Sequence, residues 1–204
     1  MKSLAPVTEI LNSSEALKRK IVAGGILSED KISFNAPYDL PKIAQPYLLV
    51  FLYSATPNVS LRNYEEPIRY VSQDGRIHAK AEITAPPAAT DLHYLFVPYG
   101  ADPASELVLT GDLIRLFHNQ PLIQPEFLPK SMRETQLRVI PNTFGIEFMY
   151  QLWSMFSSTP YKLSLTFTVT PVMISSAETT TMERVGEIDE GYYRVIPKGH
   201  AENA

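Results

Sequence analysis

From Tyr161 to Thr170 the chain alternates without a fault, with Tyr161, Leu163, Leu165, Phe167 and Val169 apolar and Lys162, Ser164, Thr166, Thr168 and Thr170 polar between them. Successive side chains of a strand point to opposite faces, so this pattern predicts a half-buried β-strand with one face in a core and one outside. Just ahead of it, Ile146, Met149, Leu152, Trp153 and Phe156 have the spacing of one helix face. Gly145 is an acceptable N-cap, Glu147 suits the positive end of the helix dipole, and Ser157-Ser158-Thr159-Pro160 stops the helix. A helix this close must fold back onto the strand. Trp153, the only tryptophan, and Tyr161 are therefore expected to be core anchors.

The other elements can be read in order. Leu4 to Ala23 reads as a helix with a stripe at Leu4, Val7, Ile10, Leu11, Leu17 and Ile21, ended by Gly24-Gly25. Lys18-Arg19-Lys20 is expected at its solvated C-terminal end, where the dipole favours cations. Lys31 to Asn35 reads as a short strand. Tyr47 to Tyr53 is apolar at every position, which predicts a strand covered on both faces. Ile68–Val71 and Ile77–Ile83 flank Ser72-Gln73-Asp74-Gly75 and predict a hairpin. Arg76, His78, Lys80 and Glu82 form its charged face, turned to solvent or a partner. Leu92 to Tyr99 is a third apolar strand, and Pro98 implies an edge or a strand terminus. Asp102 and Pro103 read as N-cap and first residue of a helix carrying Leu107, Leu113, Ile114, Leu116 and Phe117, ended by Pro121. Leu122 to Glu134 reads as an irregular loop and Leu137 to Ile140 as a short strand. The fold class is thus α+β, a mainly antiparallel sheet flanked by helices, over residues 1–176. Residues 177–204 read as a tail or arm, with one apolar patch at Tyr192-Tyr193-Arg194-Val195-Ile196.

Composition narrows the function classes. The chain has 204 residues, 45% hydrophobic and 20% charged, which suits one ordinary domain with a core. A net charge of −4 argues against a dedicated nucleic-acid surface. Without cysteine there is no thiolate or disulfide chemistry, and no apolar run reaches membrane-spanning length. There is no phosphate-binding loop, nucleophile elbow or HExxH. The histidines at 78, 93, 118 and 200 are scattered. Asp91-x-His93 has the spacing to share a strand face, but no third ligand or base accompanies it. Neither a cofactor nor a catalytic constellation is expected. A protein that assembles fits this pattern; a small intracellular α+β enzyme or ligand-binding domain, with Asp91 and His93 in a pocket, is the alternative from another class.

The order of landmarks carries a resemblance. YLLVFLYSATPN is followed by Leu61-Arg62-Asn63, then DLHYLFVPYG, LTGDLIRLFHNQPLI and GIEFMYQLWSMFSSTPYKLSLTFTVTPVMI. The most specific pieces are Asp91 to Leu95, Leu116 to Pro121, and Leu152-Trp153-Ser154 with Thr159-Pro160-Tyr161. Over about residues 4 to 176 the chain resembles the N-terminal domain of tail-terminator, or cap, proteins of extracellular contractile injection systems. That resemblance implies a structural, non-enzymatic protein forming a homo-oligomeric, six-fold ring that ends the inner tube and holds the last sheath ring. It implies inner-tube and sheath proteins as partners, no nucleic acid and no membrane. It also implies assembly in the bacterial cytoplasm before residence in the particle. Another ring component, a tail-completion or connector protein, is the alternative within that class. Arg76, His78, Lys80, Glu82, Tyr192, Tyr193 and Arg194 are the residues expected at an assembly interface.

Overall fold

The run Tyr47–Tyr53 tolerates an apolar residue at every position because both faces of its strand are covered. Tyr47 and Leu49 join one buried cluster, while Leu48 and Val50 join another. The computed structural model describes residues 5–61, 69–71, 80–84, 86–156, 159–175 and 179–183. Its main sheet has five strands: β1 (Ile32–Ser33), β2 (Tyr47–Pro57), β5 (Ala88–Tyr99), β7 (Leu165–Ile174) and β6 (Arg138–Pro141), in that spatial order. Only the short β1–β2 contact is parallel; the other pairs are antiparallel. Helices α1 (Ala5–Ala23) and α2 (Pro103–Asn119) cover one face, where Leu17, Ile21, Leu113 and Phe117 meet Tyr94, Phe96 and Phe167. Helix α3 (Ile146–Ser154) covers the other, where Met149, Leu152 and Trp153 meet Leu49, Leu95 and Val97. The fold is the expected α+β, mainly antiparallel architecture.

Local signals placed the element ends. The Asp102 carboxylate accepts from the Ser105 backbone N–H at 2.9 Å, and the Ser105 hydroxyl accepts from the Asp102 N–H at 3.1 Å. This reciprocal capping box starts α2 with Pro103 in its first turn. At the end of α1, Gly25 takes φ +70°, a left-handed conformation that glycine adopts without steric cost. Pro98 lies one residue from the end of β5, a central strand, so the terminus reading holds and the edge reading does not.

Other expectations need correction. β7 begins at Leu165, and Tyr161 and Leu163, which precede it, are exposed. The polar side of β7 is not outside: Thr166 and Thr168 are buried. β7 is paired on both edges, and its threonine face is turned to the side that α3 covers. The Thr168 hydroxyl, for example, donates to Asn142 Oδ1 at 2.7 Å. Ile146 is exposed in the first turn of α3, and Leu107 and Ile114 are exposed on α2, whose buried line is Leu109, Leu113 and Phe117. The basic triplet is not simply solvated. Lys20 is 1% exposed, and its ammonium donates to the Leu122 carbonyl at 2.7 Å and to Gln124 Oε1 at 3.3 Å. Burial holds its pKa below the ordinary lysine value. The loop after α2 folds into two 3-10 turns, Pro125–Phe127 and Lys130–Met132, that bury Leu128 and Met132 around this contact.

Trp153 is buried as expected. Its Nε1–H donates to Ser164 Oγ at 3.1 Å, and its ring meets Phe156 and Tyr161 edge-on at 5.8 and 5.7 Å. Trp153→Ala should cost about 3–5 kcal/mol through cavity formation. A urea melt that shifts by less than about 1 kcal/mol would contradict this packing.

Tyr94 is fully buried, and its hydroxyl lies 2.8 Å from Ser14 Oγ. Burial pushes its pKa up from 10.0 to about 12, against the smaller opposite pull of the Ser14 bond. The folded state therefore favours the neutral phenol. That stability is complete below pH 10 and is lost as pH rises towards 12. Between those limits the loss should reach roughly 2–3 kcal/mol, at about 1.4 kcal/mol per pKa unit. Tyr94→Phe should remove this part of the alkaline loss in melts recorded at stepped pH.

Candidate assembly surface

Three short strands form a second sheet: β3 (Arg69–Val71), β4 (Lys80–Thr84) and β8 (Thr179–Glu183), in the order β3-β4-β8. This order repeats β2-β5-β7, and each short strand is joined in sequence to its counterpart. The registers run on as well. Ala88 pairs with Ile174 in the main sheet and Thr84 with Thr179 in the small one, so pairing resumes with a one-residue offset. The interruption falls at Pro86-Pro87, where no backbone N–H is available for a ladder. The second sheet, called the arm below, thus follows the middle three strands of the first in order and in sequence.

The predicted hairpin is the β3–β4 half of this arm. Lys80 stands opposite Val71 and Glu183, and Glu82 opposite Arg69 and Thr181, at alternate positions of the middle strand. Arg76 and His78 lie outside the described residues, as do Tyr192, Tyr193 and Arg194. The structure therefore brings Lys80 and Glu82 together on one strand. The third strand, Thr179–Glu183, falls where the sequence reads as the start of the tail. Its three successive threonines were the available signal, since β-branched residues suit strands.

A polar clasp holds β2, β5 and β7 together just below the arm. Asp91 sits where the β5–β7 register shifts. Its carboxylate accepts from Asn58 Nδ2 at 2.9 Å and from the Thr170 hydroxyl. His93 has Thr56 Oγ1 2.8 Å from Nε2 and Thr168 Oγ1 2.8 Å from Nδ1. Both side chains singled out for a pocket are thus engaged across strands, with each imidazole nitrogen already partnered by a hydroxyl. Among the described residues no group of three or more His, Asp or Glu side chains is placed to hold a metal ion, and no helix is long and apolar enough to cross a membrane.

Exposed apolar side chains gather on two opposite flanks of the main sheet. Helix α2 shows Leu107, Val108 and Ile114 on one side, and Phe144, Ile146 and Tyr150 lie at α3 on the other. Groups of exposed apolar side chains on one element mark contact sites more often than isolated ones do.

The sequence profile of the Pvc16 N-terminal domain matches residues 7–187. The chain belongs to this family. The Pvc16 N-terminal domain match runs from the first turns of α1 past the end of β8, so the arm lies within it. A solved sheath/tube terminator of an extracellular contractile injection system, PVC, in its extended state, shares the fold. The TM-score is 0.62 at 17% identity, over 95% of this chain and 65% of that one. The tube-terminating cap of the anti-feeding prophage aligns with a TM-score of 0.55 at 17% identity, over 86% of this chain and 58% of that one. The chain thus spans less than two thirds of either of these proteins. No curated protein matches the sequence. The resemblance read from the ordered landmarks is borne out by the family match and by the fold shared with the terminator and the cap.

Reversing charge with Arg76→Glu and Lys80→Glu should leave the thermal melt of the isolated chain within about 4 °C, since surface changes are usually within ±0.5 kcal/mol each. The same pair should weaken assembly with particle components in pull-down. A collapse of the melt would place these residues inside the fold instead.

Proposed function

We propose that this chain is a structural cap of a contractile injection particle, a ring that ends the inner tube and anchors the last sheath ring. The observation that carries the reading is the arm, which lies within the family match and extends from a sheet with apolar contact surface on both flanks. In a closed ring each subunit meets its two neighbours through different patches, and two flanks of this kind supply them. Tubes built from identical rings grow head to tail through a heterologous interface with no intrinsic end. A cap must bind the growing face and present a different upper surface. A six-fold ring matched to the tube lets every subunit repeat one modest contact, and many such contacts together dissociate slowly. Lys80 and Glu82 on the arm, with Arg76 and His78 beyond, form a charged rim for the tube or sheath proteins. Residues 177–204 add a further contact from beyond the main sheet, starting from β8. The work is done by shape and binding, with no reaction catalysed. Assembly takes place in the bacterial cytoplasm, and the protein then remains in the particle.

Deleting the gene should give tubes of uncontrolled length, or particles whose sheath fails to stay attached, when micrographs of the deletion strain are measured. Particles of normal length and sheathing from that strain would remove the cap reading.

A further inference from the structure

Among the described residues, the outer edge of the main sheet is left open along most of β2. The two-residue β1 pairs only with Leu48 and Leu49, and β2 continues to Pro57. From Val50 onwards, no strand among the described residues pairs with β2 on the side away from β5. An unpaired edge presents backbone N–H and C=O groups ready for another strand. Beside this edge lies a groove of about 210 Å³ between α1 and the sheet, walled by Ile10, Leu11, Phe34, Val50 and Leu52. Glu15 also lines it, half-buried and in no ion pair among the described residues.

We propose that the Tyr192–Ile196 segment of a neighbouring copy adds as a strand to this β2 edge and seats its side chains in the groove, so that each subunit is stitched to the next. The inference rests on the ring reading above and names the contact that closes the ring. Two observations choose the occupant. On one face of a strand, Tyr192, Arg194 and Ile196 would present apolar groups together with a cation. The groove offers apolar walls with the Glu15 carboxylate beside them, so shape and charge agree. Reach then favours a neighbour over the chain itself. Glu183 pairs with Lys80 on the arm, while Leu52 pairs with Tyr94 deep in the main sheet. The path along the strands from Lys80 to Tyr94 is about 45 Å at roughly 3.3 Å per residue. The chain from Glu183 to Ile196, the far end of the segment, spans about 45 Å fully extended, so length alone only just reaches. β8 moreover follows β7, which lies across β5 from the open β2 edge, so a tail that leaves from β8 is better placed to meet the edge of the next subunit than its own. Donating one strand and accepting another is a head-to-tail contact, and it closes when the rotation matches the ring.

The cysteine-free sequence permits a direct test. Ser54→Cys and Val195→Cys, together in the full chain, should give a covalent ladder rising to the ring with a short bis-maleimide, while each single variant stops at dimers. Leu11→Lys, at a residue already 58% exposed, should cut the ladder yield roughly tenfold and leave the urea midpoint unchanged, because one apolar contact is worth about a factor of ten. Native mass spectrometry of the unmodified chain separates the two levels of the argument. A ring with no ladder, or with only a fast-migrating internally linked monomer, overturns the strand exchange and leaves the ring reading intact. A chain that stays monomeric both alone and in the presence of tube protein overturns both.

Discussion

Everything in this fold depends on β5 being enclosed on four sides. Tyr94, Leu95, Phe96 and Val97 are consecutive and each is 0% exposed. On a strand that is possible only if both faces are packed and both edges are paired. β2 and β7 take the edges, α1 and α2 one face, and α3 the other. The tightest point is the meeting of Phe96, Phe117 and Phe167, with ring centroids 4.9 Å apart for two pairs and 5.9 Å for the third. Tilted and edge-on rings at this spacing attract beyond the area they bury. One strand, one neighbouring strand and one helix are locked in register by that cluster.

The same enclosure explains the polar chemistry. Where β5 leaves the packed region its inner face changes from Leu95 to His93 and then Asp91, and the neighbouring strands supply Thr56, Thr168, Thr170 and Asn58. Buried or half-buried polar groups are costly without partners, so they are paired strand to strand. The clasp thus replaces apolar packing at the base of the arm. It ties the three strands to one another at the transition from sheet to arm.

The flanks show the opposite economy. Leu107, Ile114 and Ile146 lie on the apolar stripes that the sequence predicts, yet they are outside, as are Val108 and Tyr150. Their helices bury one stripe each, Leu109-Leu113-Phe117 and Met149-Leu152-Trp153, and the remaining apolar residues have no place in this chain's own core. Such residues are unfavourable in an isolated monomer and natural in a subunit of an assembly.

Much of this protein was determined by its sequence alone. Capping at Asp102-Pro103, the left-handed stop at Gly24-Gly25, the doubly covered run Tyr47–Tyr53 and the burial of Trp153 follow from local backbone geometry or from periodicity within one element. The ordered landmarks also carried the family. Tertiary structure alone decided which faces were covered. Thr166 and Thr168 are polar yet buried, because α3 lies over the face they occupy and Asn142 and His93 partner Thr168. Lys20 is charged yet buried because the loop after α2 brings the Leu122 carbonyl to it from across the sequence. Tyr161 is apolar and in phase with β7, yet exposed, because the ladder begins four residues later. The third strand of the arm was hidden for the same reason: Thr179–Glu183 becomes a strand only by pairing with Lys80–Thr84, about a hundred residues away, and local periodicity does not reach across such a separation.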